Sequence, residues 1–205
     1  AQSGKRVVIV DGDMRRPSVH TRFEAMAREP GLSNFLGGEA ASLSEVIHQT
    51  KMEGVSAIPG GPIPPNPSEL LGSPRMKTLL EELKTEADVI LVDSPPVLVV
   101  ADGPILAAQT DGVIMVVDGF NTRSGSLAAS LETLKKTQVS ILGVVINKMK
   151  RARFGYGYGY GYSYYYKYDY YYYTYYTADS DKAQANGAGP FYKRPARWVR
   201  SVLTR

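Results

Sequence analysis

The 205 residues contain no cysteine and only two histidines, His20 and His48. The first absence excludes disulfides and thiolate metal sites, and the two together leave a zinc enzyme without a ligand set. A cysteine-free chain also fits a reducing cytoplasm. Long apolar runs are missing as well: the longest are strand-sized, so neither a transmembrane helix nor a signal peptide is read in these residues. There is no initiator methionine, and Gly4 reads as the stop after a helix whose body is absent, so the chain is expected to start inside a longer protein.

What is present is ordinary for a globular protein, with 43% apolar residues and a length that suits one sizeable α/β core plus extras. Charge is uneven. Residues 1–149 carry 14 basic and 17 acidic side chains, whereas residues 150–205 carry 10 basic and 3 acidic ones, so the net charge of +4 comes from the end of the chain.

Residues 7–16 read VVIVDGDMRR. Four β-branched apolar residues bounded by charge predict a strand buried on both faces, as in a parallel sheet covered by helices. In such sheets ligands bind at the carboxyl ends of strands, which is where Asp11 and Asp13 fall. A second stretch, VILVDSPP at residues 89–96, also runs apolar residues into an aspartate, Asp93, and stops at two prolines. Two acid-tipped strands at one sheet edge suit Mg²⁺, which takes one or two carboxylates plus waters and phosphates, so Asp11 and Asp93 are the candidate metal ligands. Asp13, two residues beyond Asp11, is placed to accept a proton from a substrate hydroxyl. The competing reading is a solvated strand end with Arg15 and Arg16 neutralising the acids.

Strands are predicted at 6–10, 55–58, 89–93, 113–117 and 140–146, separated by helical patterns or Gly/Pro loops. Met76, Leu79, Leu80 and Leu83 fall at helical spacing, and Leu127, Leu131 and Leu134 form a second apolar stripe. Ser42 with Glu45 reads as a capping box; in Asn66-Pro67-Ser68-Glu69, Asn66 is the expected cap and Glu69 closes a second box. The alternation argues for a mostly parallel sheet with helices on both faces.

From Phe154 the composition changes. GYGYGYGYSYYYKYDYYYYTYYT places 14 of the 15 tyrosines in residues 156–176 with no aliphatic residue to build a core, which predicts a flexible, low-complexity tail over 151–205. An aggregating aromatic segment, a nucleic-acid stacking surface, a sticky structural tail and a repeatedly phosphorylated segment all fit that composition. The last stretch, with Trp198, Val199, Val202 and Leu203, could form a short amphipathic helix, although a solvated terminus is the plainer reading.

The order VVIVDGDMRRP, GGPIPPNPSELLGS, VILVDSPP and a tyrosine-rich end resembles the bacterial tyrosine kinases of capsular and exopolysaccharide biosynthesis over residues 1 to about 176. These are similar in fold to the MinD/ParA ATPases. The resemblance implies a P-loop kinase-like α/β domain over 1–150, with VVIVDGD as the Walker A′ motif and VILVD as Walker B. It implies that Asp11 serves Mg²⁺ and catalysis, that Asp13 activates a tyrosine hydroxyl, that Asp93 helps hold the metal, and that ATP is the phosphoryl donor. Arg15 and Arg16 match basic positions of the first motif, with a phosphate or neighbouring-subunit contact weighed equally against salt-bridging. Asn147 stands where related ATPases contact adenine.

The likeness also makes the tail the autophosphorylation target: Tyr156, Tyr158, Tyr160, Tyr162, Tyr164, Tyr165, Tyr166, Tyr168, Tyr170, Tyr171, Tyr172, Tyr173, Tyr175 and Tyr176. It implies a homo-oligomeric ring at the cytoplasmic face of the bacterial plasma membrane, a membrane co-polymerase region upstream or on a partner chain, and a tyrosine phosphatase, with no nucleic acid. One departure stands out. The phosphate-cradling G-x-x-x-x-G-K-[ST] of Walker A is missing, because Gly4-Lys5 is followed by Arg6 with no glycine-rich loop before it. The residues alone are therefore expected to bind ATP poorly. An inactive scaffold, a substrate of an intact partner kinase, and a MinD/ParA-type ATPase are the alternatives.

Overall fold

In the computed structural model, residues 1–23 and 26–149 are described. The expectations for the tyrosine cluster, the tail over 151–205 and the stretch around Trp198 lie outside them.

The apolar runs form strands within a residue of their expected bounds: β1 (Val7–Asp11), β3 (Val55–Ile58), β4 (Val89–Asp93), β5 (Val113–Asp118) and β6 (Ile141–Asn147). A two-residue strand, β2 (His48–Gln49), has no apolar alternation to announce it; it pairs antiparallel with β3. Four strands lie in the order β2-β3-β1-β4, with β1 parallel to both β3 and β4. β5 and β6 form a separate parallel pair. The single sheet expected from the alternation is thus two sheets among the described residues.

The helices are α1 (Leu32–Gly37), α2 (Leu43–Val46), α3 (Pro67–Leu71), α4 (Pro74–Glu86), α5 (Asp102–Ala107) and α6 (Ser124–Lys135). Helix α4 is the clearest outcome of periodicity: Met76, Leu79, Leu80 and Leu83 are all buried in one core with Val8 and Val10 of β1 and Phe35 and Leu36 of α1. Leu79→Ala should therefore cost about 2–5 kcal/mol, through lost apolar transfer plus a cavity, whereas Lys77→Ala on the exposed side should stay within about 0.5 kcal/mol. Urea midpoints would show the contrast. Leu134 of α6 anchors a smaller core with Met115 and Ala107.

Both helix starts predicted from capping patterns are helix starts, but the side chains act differently. Ser42 directs its backbone N–H and its hydroxyl to the Glu45 carboxylate, both at 3.0 Å. Asn66 caps no amide; its side-chain amide donates to Glu69 at 2.8 Å, and Pro67 opens α3.

The expectation that β1 is buried on both faces holds in part: Val8, Val10 and Asp11 are buried and Val7 and Ile9 half-buried, while the neighbouring β4 is open on one face. The parallel register lines up Val8 with Ile90 and Val10 with Val92 on the core face, and Ile9 with Leu91 and Asp11 with Asp93 on the other. On that second face Val89 and Leu91 are exposed, and a groove of about 360 Å³ lined by Ile9, Val19, Arg22, Phe23, Leu91 and Asp93 runs beneath the turn over Val19–Arg22. Nor is the β5–β6 pair covered on both sides: Ile114, Val116 and Leu142 are exposed. A run of Val and Ile reports strand propensity without revealing which face a helix will cover.

Candidate active site

Asp11 is the last residue of β1 and Asp93 the last of β4, and the two are register partners on adjacent parallel strands. Paired residues in such strands are about 4.8 Å apart and project to the same face, so the two carboxylates share one edge. The strand ends are held together just beyond the acids, where the Gly12 N–H donates to the Asp93 carbonyl at 2.9 Å.

The surroundings of the two acids differ. Asp11 has no solvent exposure. Its Oδ2 accepts the backbone N–H of Ser18 at 2.8 Å and of Val19 at 2.9 Å, while its Oδ1 is buried with no hydrogen-bond partner. Burial raises its carboxyl above the ordinary aspartate value; the Val19 and Ser18 amides pull it back, and the charges of Asp93 and Asp13 push it up again. Asp93 is exposed toward the groove, yet partial desolvation and then the charge of Asp13 raise it too, with the Ser94 backbone N–H and then Arg22 opposing.

Asp13 stands in the loop beyond β1 and its charge acts on both other acids. Its Oδ1 accepts the backbone N–H of Arg15 at 3.2 Å and of Arg16 at 3.0 Å, an aspartate turn that fixes the carboxylate over its own loop. Gly60 forms another wall. A Cβ there would meet Pro17 and come within 3.6 Å of the Asp11 carboxyl carbon.

This arrangement fits Mg²⁺. Among the described residues no group of three or more His, Asp or Glu forms a metal cage, and Mg²⁺ needs none, since it takes few carboxylates and keeps waters and phosphate oxygens. Asp11 Oδ1, buried without a protein hydrogen-bond partner, and the raised Asp93 carboxylate are the oxygens that would hold such a cation.

Arg15 and Asn147 both make contacts within the protein. Arg15, for which a phosphate or neighbouring-subunit contact stands equal with a salt bridge in the sequence, turns its guanidinium inward: Nε donates to Asp102 Oδ2 at 2.8 Å and Nη2 to Oδ1 at 3.2 Å. A fully buried carboxylate needs such a partner, and salt-bridging is the alternative that the structure contains. Asn147 ends β6 opposite Asp118, exposed, with its side-chain oxygen accepting the Lys148 N–H. Asp118 lies well below the ordinary carboxyl range, chiefly through Lys148 and then Asn121. Sequence reasoning missed the Ser18 and Val19 amides, for which Pro17-Ser18 is a turn signal, and Gly12, whose lack of a side chain lets the strand ends meet.

No family model matches the chain. The tyrosine-protein kinase Ptk of Acinetobacter johnsonii is 42% identical over 156 residues, which cover 76% of this chain and 21% of that protein. The solved kinase domain of VpsO is 31% identical with a TM-score of 0.67, and the match covers 72% of each chain. The chain belongs to the bacterial tyrosine-protein kinase family. Among these kinases it spans about a fifth of the length of the first curated relatives it matches. The likeness to MinD from Pyrococcus horikoshii, solved with Mg-ADP, is 23% in identity with a TM-score of 0.58, covers 74% of this chain and 61% of that one, and speaks to fold alone. Among the described residues no helix is long and apolar enough to cross a membrane.

Proposed function

We propose that these residues carry the acidic half of a protein-tyrosine kinase site, which transfers the γ-phosphoryl group of ATP to tyrosines of the chain's own cluster between Tyr156 and Tyr176. The observation that supports it most is the Asp11–Asp93 register pair, with Asp13 acting electrostatically on both. In this reading Asp11 and Asp93 hold Mg²⁺, which supplies charge neutralisation to the phosphates. Asp13 accepts the tyrosine O–H proton as the phenolic oxygen bonds to the γ-phosphorus and the bond to ADP breaks. The Ser18 and Val19 amides keep Asp11 oriented, and Gly60 leaves room above it. Asn147 would face the adenine from the end of β6.

The wider role follows from kinship: a homo-oligomeric ring at the cytoplasmic face of the membrane, working with a membrane co-polymerase region and opposed by a phosphatase, to regulate capsular or exopolysaccharide assembly and export. The domain runs over 1–150 and the substrate tail over 151–205.

A specific observation favours a second reading. No G-x-x-x-x-G-K-[ST] occurs in the 205 residues, so the phosphate cradle is not among them and the chain could serve as scaffold or substrate of a P-loop-bearing kinase. Incubation with ATP·Mg²⁺, with and without an intact relative, separates the two. Tail phosphorylation by the chain alone, abolished by Asp13→Asn, supports the kinase reading; phosphorylation only in the relative's presence, and indifferent to Asp13→Asn, replaces it with the substrate reading. Loss of the Asp13 proton acceptor should lower the rate by about 10²–10⁴-fold.

A further inference from the structure

Asp102, the first residue of α5, is fully buried and takes no part in the transfer chemistry above. It receives the Arg15 guanidinium through two bonds, at 2.8 and 3.2 Å, and the Ser68 hydroxyl at 2.5 Å. The triangle closes where Arg15 Nη2 also donates to Ser68 Oγ at 3.1 Å. Ser68 lies in the first turn of α3, within the NPSE stretch. Three segments far apart in sequence, the loop after β1, α3 and α5, therefore meet at one buried carboxylate.

Such a pair is a poor source of stability, because desolvating both charges offsets most of their attraction, and apolar packing of equal volume does as well. What it supplies is direction. The planar guanidinium is held in one orientation by a bidentate contact that a lysine could not reproduce. From there the linkage returns to the acids along the backbone, since the Arg15 and Arg16 N–H groups are the donors to Asp13 Oδ1.

We infer that Asp102, assisted by Ser68, is a positioning residue: by clamping Arg15 it sets the pair of loop amides that orients the Asp13 carboxylate. What Asp13 does once oriented rests on the phosphoryl-transfer reading; the positioning itself does not.

The test is residue-resolved amide hydrogen exchange on the full chain, comparing wild type with Asp102→Asn and Ser68→Ala. Asp102→Asn keeps the shape but replaces an acceptor facing the guanidinium with a donor. Exchange at the Arg15 and Arg16 amides should rise about tenfold or more, while Val8 and Val10 in β1 and Leu79 and Leu83 in α4 keep their rates. Ser68→Ala should raise the same two amides by a few-fold, and it decides the matter should Asp102→Asn not fold. Unchanged rates at Arg15 and Arg16, or a uniform rise across β1 and α4, would overturn the inference, the second because it marks a purely structural role. In the phosphorylation assay, Asp102→Asn should lower kcat about tenfold with the KM for ATP unchanged, and a raised KM at constant kcat would count against positioning. A wild-type chain that transfers no phosphate removes the kinase reading and leaves the exchange result to decide the clamp.

Discussion

Asp11→Asn should make the protein more stable and catalytically silent. Asp11 is fully buried, one of its oxygens has no partner, and two further carboxylates act on it. Its carboxyl is raised in the folded state, so folding favours the protonated form. The group's contribution is therefore most favourable below the ordinary aspartate range and becomes a liability as pH climbs through the raised value. Asparagine keeps an oxygen for the Ser18 and Val19 amides and removes the charge. At neutral pH the gain should be about 1–2 kcal/mol, or roughly 3–6 °C in Tm, shrinking toward zero below about pH 4, where aspartic acid and asparagine are near equivalents. In the kinase reading proposed above, transfer should fall by about 10³-fold or more, because Asp11 is one of the two carboxylates that would hold Mg²⁺. Calorimetry at pH 4 and pH 7.5 with a parallel phosphorylation assay would check both halves. A variant less stable than wild type at neutral pH would show that Asp11 is a structural acid.

Gly12→Ala should do the reverse, damaging fold and site together. A Cβ at residue 12 would lie 2.6 Å from the Asp93 backbone oxygen, 2.8 Å from Leu106 Cδ1 and 3.1 Å from Val92 Cγ1. Leu106 can adjust; the Asp93 carbonyl cannot, because it accepts the Gly12 N–H that holds the ends of β1 and β4 together. The strands must separate at the point where they present the two acids. We expect a loss of about 3 kcal/mol, in the upper range for overpacking, and with it disruption of the cation site proposed at Asp11 and Asp93. Gly125→Ala is the control: nothing lies within 4 Å of its added carbon, and in α6 it should be neutral or stabilising by up to about 1 kcal/mol. Urea midpoints and Mn²⁺ titration of the two variants would separate the effects.

Local pattern carried far in this chain. Four apolar residues followed by aspartate were enough to place Asp11 and Asp93 at strand ends, and the Met76–Leu83 stripe was enough to place α4. Both signals are written within a dozen residues of themselves. The partnership of Arg15 with Asp102 spans 87 residues, so nothing beside Arg15 could choose between a ligand and an ion pair. An aspartate set between VLVVA and GPILAA, with no neighbouring base, was the available hint that its partner would come from elsewhere. The open face of β4 was hidden for a related reason, since strand sequence records propensity but not which neighbour arrives to cover it. Nothing in the local sequence marks Gly12, because its importance lies in the atoms of another strand.

The edges of the two sheets bear on how the protein behaves in solution. Among the described residues β4 pairs on one side only and β5 and β6 only with each other, while VILV and VIMVV carry no lysine, glutamate or proline along their length. Soluble proteins normally post such gatekeepers on free strands to discourage intermolecular ladders. Leu91, Val116 and Leu142 add exposed apolar side chains to these strands, so self-association that rises with protein concentration is the behaviour expected of them when nothing lies over them.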